Sequence, residues 1–213
     1  MIYLYAVRHT KIQNSMNLCY GQREMDLCDT FEYEAMEILK NLQSLFKKKT
    51  LKTHSPTKIF TSPSLRCRKL ASFLSQHLKL DLEVDNRILE FHFGDWEGVP
   101  WDLIPESELK DWMCNFVNRP PNGGESMSEF QKRVRGFLNF LKGNQRFLLS
   151  EVQTFNLETY PPEAILVTHS GVIRMINAII LGYPLENFFK FEVRYGKIYE
   201  FLLSLETQQE KVF

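Results

Sequence analysis

Two imidazoles and two guanidinium groups stand where short apolar runs end. Ile2 to Val7 breaks into Arg8-His9, and Ala164 to Val167 breaks into Thr168-His169 followed by Ser170-Gly171. Between them, Lys58-Ile59-Phe60-Thr61 leads through Ser62-Pro63 to Arg66, and Glu90 follows the run Val84 to Leu89. Guanidinium groups present planar donors that fit the oxygens of a phosphoryl group, and helix N-termini add N–H groups and a favourable dipole. A neutral ring nitrogen of His can attack phosphorus. The expected chemistry is therefore an anion site in which His9 is the nucleophile. Arg8, Arg66 and a protonated His169 would hold oxygens as charge shifts. Glu90 precedes Phe91, Phe93 and Trp96, an apolar setting that favours the protonated carboxyl needed to donate to a leaving alkoxide.

Each of these residues alone supports only a bland reading. A lone His after a strand is more often a satisfied structural residue than a catalyst, and a lone Arg or Glu is most often a solvated one. The conjunction carries the inference: two strand-end His, two Arg and a Glu, each after its own strand. His54, His77 and His92 read as surface or helix-end residues. Cys67 and Cys114, beside apolar neighbours, read as core.

These residues can converge only if the elements behind them are neighbours. Residues 2–7, 58–61, 84–89 and 164–167 read as short buried strands. Phe31, Ala35, Ile38, Leu42 and Leu45 step at helical spacing, with Thr30 or Asp29 as the N-cap. A second helix is expected from Pro63 to about His77, because proline is tolerated in a first turn. Ser126-Met127-Ser128-Glu129 has capping-box spacing, and Met127, Phe130, Val134, Phe137 and Leu141 follow on one face. Gly171 to Leu181 reads as a further helix. Residues 189–193 and 197–203 read as an edge hairpin around Tyr195-Gly196. Alternating strands and helices with all-apolar strands predict an α/β three-layer sandwich, a mostly parallel sheet with helices on both faces. One domain over 1–213 is expected, with a lid-like insertion at about 99–125. Ligands of such sheets bind beyond the carboxyl ends of the strands.

Composition narrows the partners. The 213 residues carry 26 Lys+Arg and 26 Asp+Glu, with 44% hydrophobic content. The longest cationic run, Lys47-Lys48-Lys49, sits at a predicted helix end, where cations meet the negative end of the dipole. A nucleic-acid or anionic-membrane surface is therefore not expected. No basic leader and no uncharged stretch of roughly 20 residues occurs, so a cytoplasmic protein is expected. Cys19, Cys28, Cys67 and Cys114 lack CxxC pairing and read as free thiols.

Four motifs occur in a recognisable order: Arg8-His9-Thr10, Thr61-Ser62-Pro63-Ser64-Leu65-Arg66-Cys67, Leu89 to Gly98, and Val167-Thr168-His169-Ser170-Gly171-Val172-Ile173-Arg174. Together they resemble the histidine phosphatase, or phosphoglycerate mutase-like, superfamily. Three further features resemble its alpha-ribazole phosphatases: the Thr after Arg8-His9, the segment Cys19-Tyr20-Gly21-Gln22 with Asp26, and Pro120-Pro121-Asn122-Gly123-Gly124-Glu125-Ser126. The resemblance implies His9 as a nucleophile forming a phosphohistidine, and Arg8, Arg66 and His169 as the phosphate pocket. It implies Glu90 as the acid and later the base that activates water, with no metal and no cofactor. Ser15, Tyr20, Gly21, Gln22 and Ser170 are the implied substrate-binding residues. The sequence departs from the pattern at several places. Lys11-Ile12 and Ser15 stand where many members have Glu-Thr and an Asn, Lys69-Leu70 stands for Gln-Thr, and Ser170 replaces a second glycine. The 147–162 stretch is longer than typical and carries no motif.

The expected function is a metal-independent phosphomonoesterase acting on a small phosphate ester, with alpha-ribazole 5'-phosphate of cobalamin nucleotide-loop assembly as the substrate and a homodimer as the assembly. The alternative is a phosphatase or mutase acting on a sugar or glycerate phosphate; the modest 99–125 segment favours free hydrolysis. A catalytically silent binding protein would lack one of His9, Arg66, Glu90 or His169, and none is missing. A metallohydrolase using His9, His92 and His169 lacks clustered carboxylates and H-x-x-x-H spacing.

Overall fold

The computed structural model describes residues 1–48, 58–144, 163–204 and 211–212. Lys49, His54 and the 147–162 extension lie outside the described residues. The strands β1 (Ile2–Arg8), β2 (Lys58–Thr61), β3 (Asp81–Val84), β4 (Glu163–Thr168), β5 (Ile198–Leu203) and β6 (Lys211–Val212) form one sheet in the order β3-β2-β4-β1-β5-β6. β3, β2, β4 and β1 run parallel, whereas β5 is antiparallel to β1 and to β6. The described helices are α1 (Phe31–Lys48), α2 (Leu65–Leu78), α3 (Glu106–Asn115), α4 (Met127–Gly143) and α5 (Ser170–Leu181).

The period-2 alternation of strand side chains sorts two cores. Tyr5, Val7, Ile59, Ile165 and Val167 pack with Ile38 and Leu42 of α1 and with Cys67, Leu70 and Leu74 of α2. Leu4, Ala6, Phe60, Ala164 and Leu166 face the other way, onto Phe130, Val134 and Phe137 of α4 and Val172, Met175 and Ile176 of α5. β4 is buried along its whole length, as a central parallel strand covered on both faces must be. The result is the expected three-layer arrangement.

Three local expectations are corrected. α2 starts at Leu65 with Ser64 as its N-cap, so Pro63 lies outside the helix rather than in its first turn. The third strand is Asp81–Val84, not 84–89. There the Asp85 side chain accepts from Arg87 N at 2.8 Å and starts a 3₁₀ turn over Asn86–Ile88. Arg133 then holds the carbonyls of Arg87, Leu89 and Glu90 from the side chain, in place of a strand neighbour. The edge hairpin does not form either, since Leu185–Lys190 is a 3₁₀ helix. The carbonyls of Phe191, Glu192 and Val193 accept from the side chains of Arg174, Tyr199 and Arg8, so β5 pairs with β1 instead.

Ser126 accepts from Glu129 N while the Glu129 carboxylate accepts from Ser126 N, completing the capping box that begins α4. The 99–125 stretch holds a 3₁₀ turn at Trp101–Leu103 and then α3, with Trp112 and Phe116 buried against the α4 and α5 side of the sheet. Cys114, expected in the core, is exposed on α3; its neighbours Trp112 and Phe116 take the buried positions. No described helix is long and apolar enough to cross a membrane.

Candidate active site

Because β2, β4 and β1 are neighbours in that order, their carboxyl ends deliver Ser62, His169 and His9 to one rim. His9 N donates to Thr168 O at 3.0 Å and Ser62 N to Val167 O at 3.1 Å, so the chain is still tied to the sheet where the polar residues begin. The His9 and His169 rings meet edge to face with centroids 5.3 Å apart. Both side chains are buried, and the structure fixes the tautomer of each. His9 Nδ1 lies 2.8 Å from the carbonyl oxygen of Thr10. A carbonyl can only accept, so Nδ1 carries the proton and Nε2 keeps its lone pair. Nε2 has no hydrogen-bond partner among the described residues. Burial, then the charge of Arg66, holds the His9 imidazolium well below the usual histidine range.

Arg66, in the first turn of α2, is buried completely. Its Nη1 and Nη2 donate to the carbonyls of Arg23 and Gly21 at 2.8 and 2.6 Å, and its Nε to His169 Nδ1 at 3.3 Å. His169 Nε2 then donates to Ser62 Oγ at 2.7 Å. His169 is therefore neutral here, with burial and Arg66 holding its imidazolium well below the usual range. That corrects the expectation of a protonated His169: a guanidinium donating into Nδ1 leaves no room for a proton there. Arg8 donates from Nη1 to Val193 O at 2.7 Å, lies 3.6 Å from the centroid of the Tyr195 ring and keeps a buried Nε–H without an acceptor. Neither Arg8 nor Arg66 is ion-paired among the described residues. Two clustered cations beside two neutral imidazoles make a site built for an anion.

Glu90 sits across from these groups on the N-terminus of α5. Its Oε2 accepts from Gly171 N at 3.0 Å and Ser170 Oγ at 3.3 Å, and its Oε1 from Phe91 N at 2.9 Å. Its backbone carbonyl is held by Gln22 Nε2 and Arg133 Nη2. Beyond Glu90 opens a cavity of about 490 Å³ walled by Phe91, Phe93, Trp101, Trp112 and Phe188, with Arg174 at its edge. Trp96, expected beside Glu90, is buried against Trp112 at a centroid distance of 5.5 Å.

The expected substrate-binding residues divide. Tyr20 lines the cavity; its hydroxyl is 3.2 Å from that of Tyr195, and its ring lies 5.3 Å from the Arg66 guanidinium. Gly21 serves through its carbonyl and Gln22 through Glu90. Ser170 borders the cavity and orients Glu90. Ser15 is exposed on a turn that Asn14 closes through both backbone groups of Leu18, and no described contact ties it to the cluster.

Several site residues carried no role in the sequence reading. Glu97 accepts from Gln22 N, Arg23 N and Phe93 N at 2.9, 2.7 and 3.0 Å, fixing the loop whose carbonyls hold Arg66. Gly21, at φ +35°, allows that approach, because a Cβ there would strike the Glu97 carboxylate. Arg133 clamps the backbone before Glu90 while Glu125 accepts from its Nε and Nη2. Tyr195, read only as a turn residue, covers Arg8 and packs against the His9 ring at 5.5 Å. Glu97 stood within a quoted motif; nothing local marked Tyr195 or Arg133. No group of three or more His, Cys, Asp or Glu side chains that could hold a metal ion occurs among the described residues.

The Histidine phosphatase superfamily (branch 1) matches residues 4–212 of the chain. A Hydrogenobacter thermophilus protein provisionally named phosphoserine phosphatase 2 is 29% identical over 86% of this chain and 81% of its own length. A Cronobacter sakazakii protein provisionally named phosphoglycerate mutase GpmB is 31% identical over 86% and 77%. Among solved structures, the alpha-ribazole phosphatase from Shigella flexneri superposes with a TM-score of 0.78 at 21% identity, covering 99% of this chain and 94% of that one.

Proposed function

The chain belongs to the histidine phosphatase superfamily and is a phosphoric monoester hydrolase, and from that premise we propose that it works without a metal, through a phosphohistidine on His9, on alpha-ribazole 5'-phosphate. The observation that carries the chemistry is the meeting of two unpaired guanidinium groups with a neutral His9 whose free nitrogen is Nε2. A buried charge without a counter-ion costs several kcal/mol, on the order of 3–5, and a phosphate dianion between Arg8 and Arg66 offsets it. In the first step His9 Nε2 bonds to phosphorus, the phosphorus–oxygen ester bond breaks, and the Glu90 carboxyl gives its proton to the leaving oxygen. In the second, the Glu90 carboxylate takes a proton from water. The hydroxide bonds to phosphorus, the nitrogen–phosphorus bond breaks, and phosphate leaves. The two arginines hold the oxygens, and neutral His169 orients them indirectly, accepting from Arg66 Nε and donating from Nε2 to Ser62 Oγ.

Two things support the aromatic substrate: the aromatic walls of the cavity beyond Glu90, which suit a planar ring better than a small glycerate, and the resemblance at Thr10, Cys19 to Gln22 and Pro120 to Ser126. On this reading the enzyme serves cobalamin nucleotide-loop assembly. One observation favours a second reading. Arg174, a cation without a carboxylate partner at the cavity edge, suits a leaving group with an anionic substituent, in line with the relatives named for phosphoserine and phosphoglycerate chemistry. The test is phosphate release from alpha-ribazole 5'-phosphate, 3-phosphoglycerate and phenyl phosphate with chelator present. Preference for the first supports the leading reading, and preference for the second replaces it. Activity that chelator abolishes contradicts the metal-free mechanism.

A further inference from the structure

We propose that Arg174 selects the leaving group, donating to an oxygen acceptor on the alcohol portion of the substrate. The inference rests on the phosphatase reading above and assigns a specificity-determining residue to the same site. Arg8 and Arg66 do not line the aromatic cavity; Arg174 does, together with Glu90, Ser170 and Gly171. Because Glu90 donates to the oxygen bridging phosphorus and alcohol, a group on the cavity side of Glu90 faces the alcohol rather than the phosphoryl group. Arg174 stands one turn into α5, and its Nε donates to Phe191 O at 2.8 Å, which fixes the plane of the guanidinium. Its terminal nitrogens have no hydrogen-bond partner among the described residues, and no described carboxylate lies within ion-pair distance. Partial burial accordingly pushes its pKa down, with Glu90 the chief opposing charge.

Arg174 also borders a second cavity of about 310 Å³ that holds Asn177, Asn187 and Lys190. Arg174 thus borders both an aromatic pocket and one of mixed lining, where Asn177, Asn187 and Lys190 stand beside Phe188 and Phe191. A leaving group that satisfies both carries an apolar or aromatic part and an oxygen acceptor beside it. That acceptor can be a sugar hydroxyl, as in a nucleoside-like alcohol, or a carboxylate, as in a glycerate; a guanidinium donates to either, and more strongly to the second.

The experiment compares kcat/KM of the wild type, Arg174→Met and Arg174→Lys on alpha-ribazole 5'-phosphate, 3-phosphoglycerate and phenyl phosphate, whose alcohol has no second acceptor. In Arg174→Met the preference for the acceptor-bearing ester over phenyl phosphate falls about tenfold or more, chiefly through KM, and Arg174→Lys recovers part of it. Loss on alpha-ribazole 5'-phosphate assigns a hydroxyl acceptor, and loss on 3-phosphoglycerate a carboxylate. A preference within about twofold of wild type on both esters overturns the proposal. Calorimetric binding of the free alcohols, alpha-ribazole and glycerate, to wild type and Arg174→Met reads the same contact without turnover. Failure of the wild type to hydrolyse any of the three esters counts against the phosphatase reading; failure of both alcohols to bind more weakly to the variant counts against Arg174.

Discussion

His9 Nδ1 donates to the carbonyl oxygen of Thr10, its own neighbour in the chain, across 2.8 Å. The bond settles which nitrogen can attack, because the proton is committed on one side of the ring and the lone pair stands on the other. His9→Ala is expected to abolish hydrolysis while thermal unfolding remains cooperative, since the ring sits at a strand end outside the two hydrophobic cores. Turnover near the wild-type rate would remove His9 as the nucleophile.

Stability should fall on acidification through the two imidazoles. His9 and His169 are both held well below the ordinary 6.5 in the folded chain. Below pH 6.5 the unfolded chain takes up protons that the folded chain does not, so each ring removes up to about 1.4 kcal/mol per pH unit until its folded pKa is reached. The slope fades over about one pH unit above 6.5, where the unfolded rings lose their protons as well. Urea denaturation between pH 5 and 7.5 tests this, and His169→Asn should flatten the slope. An identical slope in that variant would show that the drop comes from other groups.

Gly171 leaves no room for a side chain, because a Cβ there would meet Glu90 Oε1 inside van der Waals contact. Gly to Ala in a helix ordinarily gains up to about 1 kcal/mol. Here Gly171→Ala should displace the acid and cut hydrolysis of an alkyl phosphate at least about tenfold more than that of 4-nitrophenyl phosphate, whose leaving group needs no proton. Glu90→Gln should give the same signature. Equal losses on both esters in kcat/KM, which reports only the step that forms the phosphohistidine, would make Glu90 a binding group rather than the acid.

Glu97 reaches Arg66 through the loop that both of them hold. Its carboxylate accepts three backbone N–H groups, and the loop carbonyls of Gly21 and Arg23 orient the guanidinium. Glu97→Gln exchanges an acceptor oxygen for a donor and should weaken inhibition by orthophosphate about tenfold, raising KM more than it lowers kcat. A variant with lower melting temperature but unchanged phosphate inhibition would confine Glu97 to stability.

The strand-end residues were legible because an apolar run that switches abruptly to Arg, His or Ser marks where a buried strand reaches the rim, and β2, β4 and β1 proved to be neighbours. The segment before Glu90 has the apolar pattern of a strand yet folds otherwise, because its carbonyls go to Arg133, some forty residues further along the chain. The protonation state of His169 is not legible in the sequence for a similar reason: one hydrogen bond from Arg66 decides it, and only the fold brings those residues together. The task of the Ser170 hydroxyl, orienting the acid, depends on a contact that only the fold makes. Tyr195 lies on a turn whose only sequence signal is the glycine after it.

The central claim is a covalent bond between phosphorus and His9 Nε2. Rapid quenching into base during turnover of 4-nitrophenyl phosphate, followed by peptide mapping and ³¹P NMR, reads both the residue and the nitrogen. The account predicts a base-stable, acid-labile phosphoryl group on His9 at Nε2, absent from His9→Ala and accumulating in a variant that cannot activate water, Glu90→Gln. A phosphoryl group on another residue or on Nδ1, or no phosphoenzyme in Glu90→Gln while the aryl ester is still cleaved, would contradict it.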